Sequence, residues 1–486
     1  MKNQNPRQIA LKILNKFYRN EIFLEKILND NLILNDNHNR NKNHNHNKNN
    51  GDNENNLNQA LITELVYGVV RWQIKIDFMI SNFLKKDIQE IDKTILNILR
   101  LSIYQLNYLD KVPDYAVVNE AVNLTKSNKL SSFASFVNAV LRSYLREKEQ
   151  IKFPPLVEKI NYFSTIYSHP QWLVSRLISQ FGVEETEQIL QSNNFRAKIT
   201  LRVNETKSSI SEVENFLVEN KIEFYKNEIL PNCFVINKSS INLSNSNFFK
   251  QGKFTIQDIS AALISQFALP KFARLIFDLC AAPGGKTCNI AELNIAELIK
   301  LSNNKINAHW KIVANDLYPN KINLIKDNAN RLGLNNIEYS CVDALNFSYS
   351  EKAALVLLDA PCSGLGTVSK KPDIKHLRKE SDFAQLIELQ KKLLVKAASL
   401  VENGGILVYS TCTIDKEENV ENIEWFLRNN DEFSLEPADK YVDKMFCKDG
   451  FLQCFSHKNY FNLSFGENRF HNIDGAFAAR LVKKLD

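Results

Sequence analysis

Two cysteines stand where a nucleophile would be useful. Cys362 follows Asp359-Ala360-Pro361 and leads into Ser363-Gly364-Leu365-Gly366-Thr367, and Cys412 lies in Tyr409-Ser410-Thr411-Cys412-Thr413. They are 50 positions apart, yet each follows a short apolar run, Leu355–Leu358 or Gly405–Tyr409, of the kind that makes a buried parallel strand. Neighbouring strands of such a sheet deliver their carboxyl ends to one cleft, so two thiols are predicted to face it together. A lone strand-end cysteine is more often an inert buried side chain. A pair flanked by a carboxylate and a glycine-rich turn is a candidate for covalent chemistry.

The chemistry that asks for this arrangement is substitution at carbon 5 of a cytosine. That carbon is too weak a nucleophile to be alkylated unaided, and a thiolate adding to carbon 6 makes it reactive. The attacking thiol must ionise below the free value of about 8.5. The carbon 5 proton must then leave, a step that a second thiol or a base can assist. A carboxyl at Asp359 can hydrogen-bond nitrogen 3 of the ring. Spacing alone does not say which cysteine attacks.

A second cluster would hold a nucleoside cofactor. Asp278-Leu279-Cys280-Ala281-Ala282-Pro283-Gly284-Gly285-Lys286-Thr287 ends one apolar run and opens a helix. Small residues let a ligand approach the backbone, and the glycines permit a tight turn. A P-loop would need glycine where Cys280 stands, and the G-x-G-x-x-G spacing is absent. Asp316 follows the next strand, where a carboxylate can accept from both ribose hydroxyls, and Asp343 follows the third, where it can meet an adenine amino group. One aspartate after a strand is usually a helix cap. Acidic residues at successive strand ends around one glycine turn point instead to bound adenosine.

Three segments must position these residues. From residue 6 to about 150 apolar residues recur at helical spacing, as in Ile9, Leu11, Ile13, Leu14 and Phe17, which predicts an all-α bundle. Residues 35–58 interrupt it with an Asn-, His- and Lys-rich tract that cannot bury apolar area and reads as a disordered loop. His38, His44 and His46 fall there without a Cys or carboxylate cluster at ligand spacing, so no metal is expected. Residues 151–254 read as a small α+β module. From 255 to 486, strands such as Leu275–Leu279 and Ile312–Ala314 alternate with helical segments such as Lys321–Arg331, the form of a doubly wound, Rossmann-like α/β domain.

Composition narrows the class. The formal charge of +6 suits a polyanionic partner. No signal peptide and no apolar run of the ~20 residues a bilayer needs is apparent. The eight cysteines include no C-x-x-C pair, which argues against a zinc site or a disulfide framework and for reduced thiols in a cytoplasmic protein.

At the two cysteine motifs and the glycine turn the chain resembles the RNA cytosine-5 methyltransferases of the NOL1/NOP2/Sun class. Ala281-Ala282-Pro283-Gly284-Gly285-Lys286-Thr287 is similar to their first motif, Asp359 to Thr367 to their fourth, and Ser410-Thr411-Cys412-Thr413 to their sixth. The resemblance implies that Cys412 is the nucleophile and that Cys362 helps release the product. DNA cytosine-5 methyltransferases would instead attack from the Pro-Cys motif, Cys362 here. It also implies S-adenosyl-L-methionine held by Cys280, Ala281, Ala282, Pro283, Gly284, Gly285, Lys286, Asp316, Asp343 and Asp359. Glu64 to Trp72, Leu99 to Leu106, Ala116 to Val122 and Phe136 to Arg142 resemble a NusB-type RNA-binding domain. Together the domains imply a monomeric enzyme acting on 16S rRNA, free or in an early small-subunit particle, without metal or membrane. Arg71, Arg100 and Arg142 are candidates for internal ion pairs or, less strongly, for RNA contacts. The basic run Lys370, Lys371, Lys375, Arg378 and Lys379 is expected to meet phosphates. Two departures from the family pattern are Ala476 and Ala478 after Asp474-Gly475, and Lys371 and His376 in the loop after the fourth motif.

Overall fold

The structure is a computed structural model that describes residues 5–28, 30, 48–227, 229–239, 241–269, 271–302, 309–458, 460 and 473–485, with backbone alone over 48–57. The chain divides into two compact units, 1–194 with 371–380, and 195–370 with 381–486.

The first unit is helical. Helices Pro6–Asn20, Lys48–Ser81, Lys93–Tyr108, Asp114–Ser127 and Ala134–Glu147 pack their apolar stripes around Leu14, Val66, Leu99 and Leu141. Their ends follow local rules. Pro6 occupies the first turn behind an Asn5 cap, and Asp92 accepts from Thr94 N at 2.8 Å and Ile95 N at 3.0 Å. Gly68 is required for packing, because a Cβ there would lie 2.0 Å from the Tyr104 ring. The helix Lys48–Ser81 starts inside the Asn-rich tract, so the disordered reading does not hold for the backbone from residue 48. Packing of the apolar stretch that follows carries a helix that propensity alone would not. The histidines at 38, 44 and 46 lie outside the described residues.

Helices Lys159–Ile166, Gln171–Phe181 and Val183–Asn193 also belong to this unit, where the sequence grouped them with the α+β module. Arg100 forms a buried two-pronged pair with Asp77, both contacts at 2.7 Å. That pair accounts for its charge internally, which is the ion-pair alternative that the sequence offered for it.

Residues 371–380 are the larger correction. Lys375 is 1 % exposed. Its ammonium donates to Arg71 O and Ser168 O at 2.8 Å and to Asn194 Oδ1 at 3.2 Å. His376 Nε2 meets Val70 O at 2.8 Å, and Asp373 Oδ2 accepts from Leu24 N at 2.8 Å. Burial pulls Lys375 well below the usual lysine range and His376 down to about 3. Lys370, in the other unit, pairs with Asp258 and, at 2.7 Å, with Asp474. Lys375 spends all three of its donors on protein oxygens, and Lys370 spends two of its three on carboxylates, so neither is the solvated cation that a phosphate contact needs. Deleting residues 1–150 removes Val70 O, Arg71 O and Leu24 N. Leaving a buried donor or acceptor unmet costs about 1–3 kcal/mol each, so residues 371–380 should lose their order in the truncated chain. Limited trypsin digestion mapped by mass spectrometry should then show cuts between 371 and 380 that the full chain resists; identical patterns would count against this.

The second unit has two sheets among the described residues. Strands β1 (Ile199–Val203), β2 (Glu223–Lys226), β3 (Cys233–Lys238) and β4 (Phe254–Ile256) form an antiparallel sheet ordered β2-β3-β1-β4. It is tied to the larger sheet's helices through a buried pair between Arg202 and Glu292, and through Arg331, which donates to Phe249 O at 3.0 Å and Phe254 O at 3.1 Å.

The larger sheet contains β5 (Leu275–Asp278), β6 (Lys311–Asn315), β7 (Ile337–Ser340), β8 (Ala353–Asp359) and β9 (Val401–Thr411), parallel in the order β7-β6-β5-β8-β9. Alternate residues feed two cores. Ile276, Leu355 and Leu357 enter one, while Phe277, Val356 and Leu358 enter the other. The sheet is mixed, because β10 (Phe433–Glu436), β11 (Cys447–Lys448), β12 (Phe451–Cys454) and β13 (Ala476–Lys483) extend it antiparallel beyond β9. The strand order reverses at β5, so the crevice beyond the carboxyl ends of β5 and β8 is where such a sheet binds ligands.

Candidate active site

Cys362 and Cys412 meet at that crevice. Their sulfurs are 3.4 Å apart, within hydrogen-bond reach, and either could donate. Three loops hold them there. Gly366 N donates to Cys412 O at 3.0 Å and Gly475 N donates to Gly366 O at 2.8 Å. A Cβ on Gly366 would lie 1.9 Å from Gly475 O, so this approach needs glycine. The motif around Gly475 thus braces the cysteine loops whatever its neighbouring alanines do.

The hydrogen bond between the thiols and the charges around them shift the two in opposite directions. The hydrogen bond from Cys362 lowers the Cys412 thiol below its ordinary value; burial and Asp359 oppose this, and Lys286 adds to it. Cys362 moves the other way, well above the ordinary value, through the same hydrogen bond, burial, and the charges of Cys412 and Glu418. Of the two, Cys412 is the thiol that ionises more readily. Asp359 Oδ2 accepts from Lys286 Nζ at 2.7 Å and its Oδ1 from Ser410 Oγ at 2.8 Å. Burial pulls the Lys286 ammonium down, but Asp359 and Cys412 outweigh it and the net shift is upward.

The glycine turn closes β5. Leu279 N donates to Leu357 O, Ala281 N to Asn315 O and Gly284 N to Ala281 O. Gly284 has φ of 96°, which L side chains rarely adopt, and the helix Gly285–Ser302 starts at the next residue. Asp316 is buried, with Oδ2 accepting from Ala282 N at 3.2 Å and Oδ1 3.5 Å from Lys321. Asp343 is exposed and caps a short helical turn through Leu345 N at 3.0 Å. The Cys280 thiol is pushed up by burial and by Asp278, so it stays protonated.

Two residues here, Asn315 and Gln257, were missed in the sequence, and Asp278 was given no role of its own there. Asn315 joins three strand ends, donating to Leu279 O at 3.1 Å and Val342 O at 3.0 Å and accepting from Val342 N at 3.1 Å. Asp278 Oδ1 and Gln257 Nε2 are buried polar atoms without a hydrogen-bond partner, a costly state unless a ligand meets them. Burial pushes the Asp278 carboxyl up to about 7. Gln257 Nε2 lies 3.6 Å from where a Gly285 Cβ would stand, with nothing nearer. One orphaned acceptor, one orphaned donor and an open glycine turn at a helix N-terminus fit the amino-acid end of S-adenosylmethionine. Asp316 fits its ribose. Among the described residues no group of three or more His, Cys, Asp or Glu could hold a metal ion, and no helix is long and apolar enough to cross a membrane.

A parallel core ordered β7-β6-β5-β8-β9, closed by antiparallel β13, with a glycine turn after β5 and an aspartate after β6, defines a Rossmann-like methyltransferase. Family models refine this. Residues 267–481 match the 16S rRNA methyltransferase RsmB/F, 4–146 the NusB family, and 169–242 the ferredoxin-like domain of RsmF/B-like methyltransferases. The chain is 35% identical to the probable ribosomal RNA small subunit methyltransferase B of Bacillus subtilis over 100% of both chains. It is 33% identical to the ribosomal RNA small subunit methyltransferase B of Pasteurella multocida over 78% of this chain and 81% of that one. Among solved structures, PH0851 aligns over 99% of both chains with TM-score 0.75 and 26% identity. NSun6 from Pyrococcus horikoshii shares the fold over 66% of this chain and all of its own, with TM-score 0.55 and 21% identity. The chain belongs to the ribosomal RNA small subunit methyltransferase B family, whose methyl donor is S-adenosylmethionine.

Proposed function

We propose that this protein methylates carbon 5 of a specific cytosine in 16S rRNA through a covalent bond between Cys412 Sγ and carbon 6. The observation that carries this reading is the thiol pair, 3.4 Å apart at the ends of β8 and β9, with the Cys412 thiol shifted down and the Cys362 thiol shifted up. S-adenosylmethionine, when bound, supplies an electrophilic methyl group. Cys280 to Lys286, Asp316, Asp343 and Asp359 would hold it, with Gln257 and Asp278 added to that set.

The chain's own residues do the rest. Cys412 adds to carbon 6, and the ring electrons move so that carbon 5 becomes nucleophilic. Nitrogen 3 takes a proton from solvent as the sulfur adds, and the Asp359 carboxylate, anchored by Lys286 and Ser410, accepts a hydrogen bond from it. After alkylation a water molecule takes the carbon 5 proton, the electrons of that bond restore the ring double bond, the carbon 6–sulfur bond breaks to return Cys412 as a thiolate, and nitrogen 3 gives its proton back to solvent. The Cys362 thiol hydrogen-bonds that departing sulfur. Because carbon 6 is shielded in a stack, the target base must be extruded, which is cheapest in a loop or junction. The NusB-like and ferredoxin-like parts would grip the flanking RNA.

Bisulfite sequencing tests the reading. 16S rRNA from cells lacking this gene, incubated with the protein and S-adenosylmethionine, should gain one cytosine that resists conversion. Methyl incorporation with every cytosine still convertible would overturn it.

A further inference from the structure

Behind the two cysteines lies a polar cluster that no step of the proposed reaction uses. Glu418 is fully buried. Its Oε2 accepts from Ser363 N and from Gln390 Nε2, each at 2.8 Å, and its Oε1 accepts from Ser363 Oγ. Ser363 Oγ is also 2.8 Å from Thr413 Oγ1. Ser363 is the residue after Cys362, and Thr413 the residue after Cys412. The cluster is fixed from behind as well. Tyr409 OH donates to Glu418 O at 2.7 Å, Gln390 Nε2 donates to Pro361 O at 3.0 Å, and Asn422 Nδ2 donates to Gln390 Oε1 at 2.8 Å.

We propose that Glu418 is a positioning residue that clamps Ser363 and, through its hydroxyl, Thr413, so that Cys362 and Cys412 are held side by side in one arrangement. The inference rests on the proposed roles of those cysteines. A buried carboxylate is costly unless hydrogen-bonded, and here both oxygens are used on one backbone amide and two side chains that brace the cysteine loops. Near the sulfurs the two loops are otherwise joined by the Gly366 N–Cys412 O bond, the Ser410–Asp359 bond and the contact between the sulfurs themselves. A sub-ångström slip there separates the sulfurs and removes the hydrogen bond that distinguishes them.

The charge of Glu418 works in the same direction. Lys286, Asp359 and Asp474 act on Cys412, while Glu418 acts on Cys362 and Asp415 lies beside Glu418. A negative group on the Cys362 side keeps that thiol protonated and leaves Cys412 as the anion.

The test uses the full chain. Alkylation of each cysteine by iodoacetamide, followed by mass spectrometry across a pH series, should show Cys412 of the wild type reacting at lower pH than Cys362. Glu418→Gln keeps the shape but removes the charge and an acceptor. It should bring the Cys362 midpoint down by roughly one pH unit and lower kcat by about tenfold or more, the scale of one hydrogen bond to a charged group. The KM for RNA and the calorimetric affinity for S-adenosylmethionine should stay unchanged. Wild-type kcat and midpoints in Glu418→Gln would overturn the proposal, as would equal losses of cofactor affinity and kcat, which mark mere support of the fold. Should Glu418→Gln fail to fold, Ser363→Ala decides, because it keeps the carboxylate and cuts the link to Thr413. A wild-type kcat there overturns the proposal, and a reduced kcat at unchanged cofactor affinity supports it. Alkylation reads the thiols without RNA, so a failure of the cytosine chemistry itself, seen as turnover by Cys412→Ala, would be told apart.

Discussion

Cys412→Ala should lose methyl transfer by at least ~10⁴-fold, the scale on which removing a catalytic nucleophile acts, while binding S-adenosylmethionine as the wild type does. The two effects separate because they sit on different strands. The loop keeps its place in the variant, since Gly366 N bonds to the residue 412 carbonyl and not to its sulfur. The cofactor candidates lie at the ends of β5, β6 and β7 and in the Lys286–Asp359 pair, none of which is held through the Cys412 side chain. Alanine leaves a smaller, neutral residue beside Lys286, so cofactor affinity should move little. The pH dependence of the wild type follows from the same geometry. Cys412 ionises below an ordinary cysteine because Cys362 donates to it and Lys286 lies near. Single-turnover rate should therefore rise with pH as the thiol ionises and level off before the ordinary cysteine value of about 8.5. Calorimetry with S-adenosylmethionine and tritium transfer to RNA, run on one preparation, measure both halves. Turnover retained in Cys412→Ala would remove the nucleophile from the proposal.

The parts of the site that were legible in the sequence are those whose meaning is carried by neighbours along the chain. The Cys280 to Lys286 turn, the Asp359 to Thr367 loop and the Ser410 to Thr413 loop each follow an apolar run, and the run fixes where the loop must end up. What the sequence could not show are groups whose partners are distant. Gln257 lies 55 residues from Arg202, whose Nε it accepts; Glu418 lies 55 residues from Ser363; Lys375 lies 304 residues from Arg71. No local pattern distinguishes a lysine bound for a phosphate from one bound for three protein oxygens. The sequence assigned this basic run to phosphates, with a solvated loop as the alternative, and neither reading foresees the protein partners of Lys370 and Lys375. The antiparallel strands escaped for another reason. Ala476–Lys483 is buried on both faces through most of its length, so it lacks the alternation that marks a half-exposed strand. The division into units differs from the one in the sequence because 371–380 leaves its own sheet domain to pack with helices far upstream, which periodicity does not encode.

Cys362→Ala should fail later in the reaction and leave a different trace. In the wild type the Cys362 thiol lies 3.4 Å from the Cys412 sulfur and is the protonated partner, its ionisation opposed by that hydrogen bond, burial and Glu418. As the carbon 6–sulfur bond breaks, negative charge returns to Cys412, and a donor at this position stabilises it most when the charge is fully formed. A hydrogen bond to a charged group is worth about 1.5–3 kcal/mol, so release should slow by about 10–100-fold. Attack slows too, because the Cys412 thiol loses the interaction that lowers it. That loss can be offset by raising the pH, whereas the departing sulfur has no substitute donor. The methylated adduct should then accumulate and appear on a denaturing gel as a shifted RNA–protein band. The band should require S-adenosylmethionine and disappear in the double variant Cys362→Ala, Cys412→Ala. A band that forms equally without the methyl donor would place the stall before transfer and assign Cys362 to another step. No band at any pH, with turnover close to wild type, would show that the departing sulfur needs no help from Cys362.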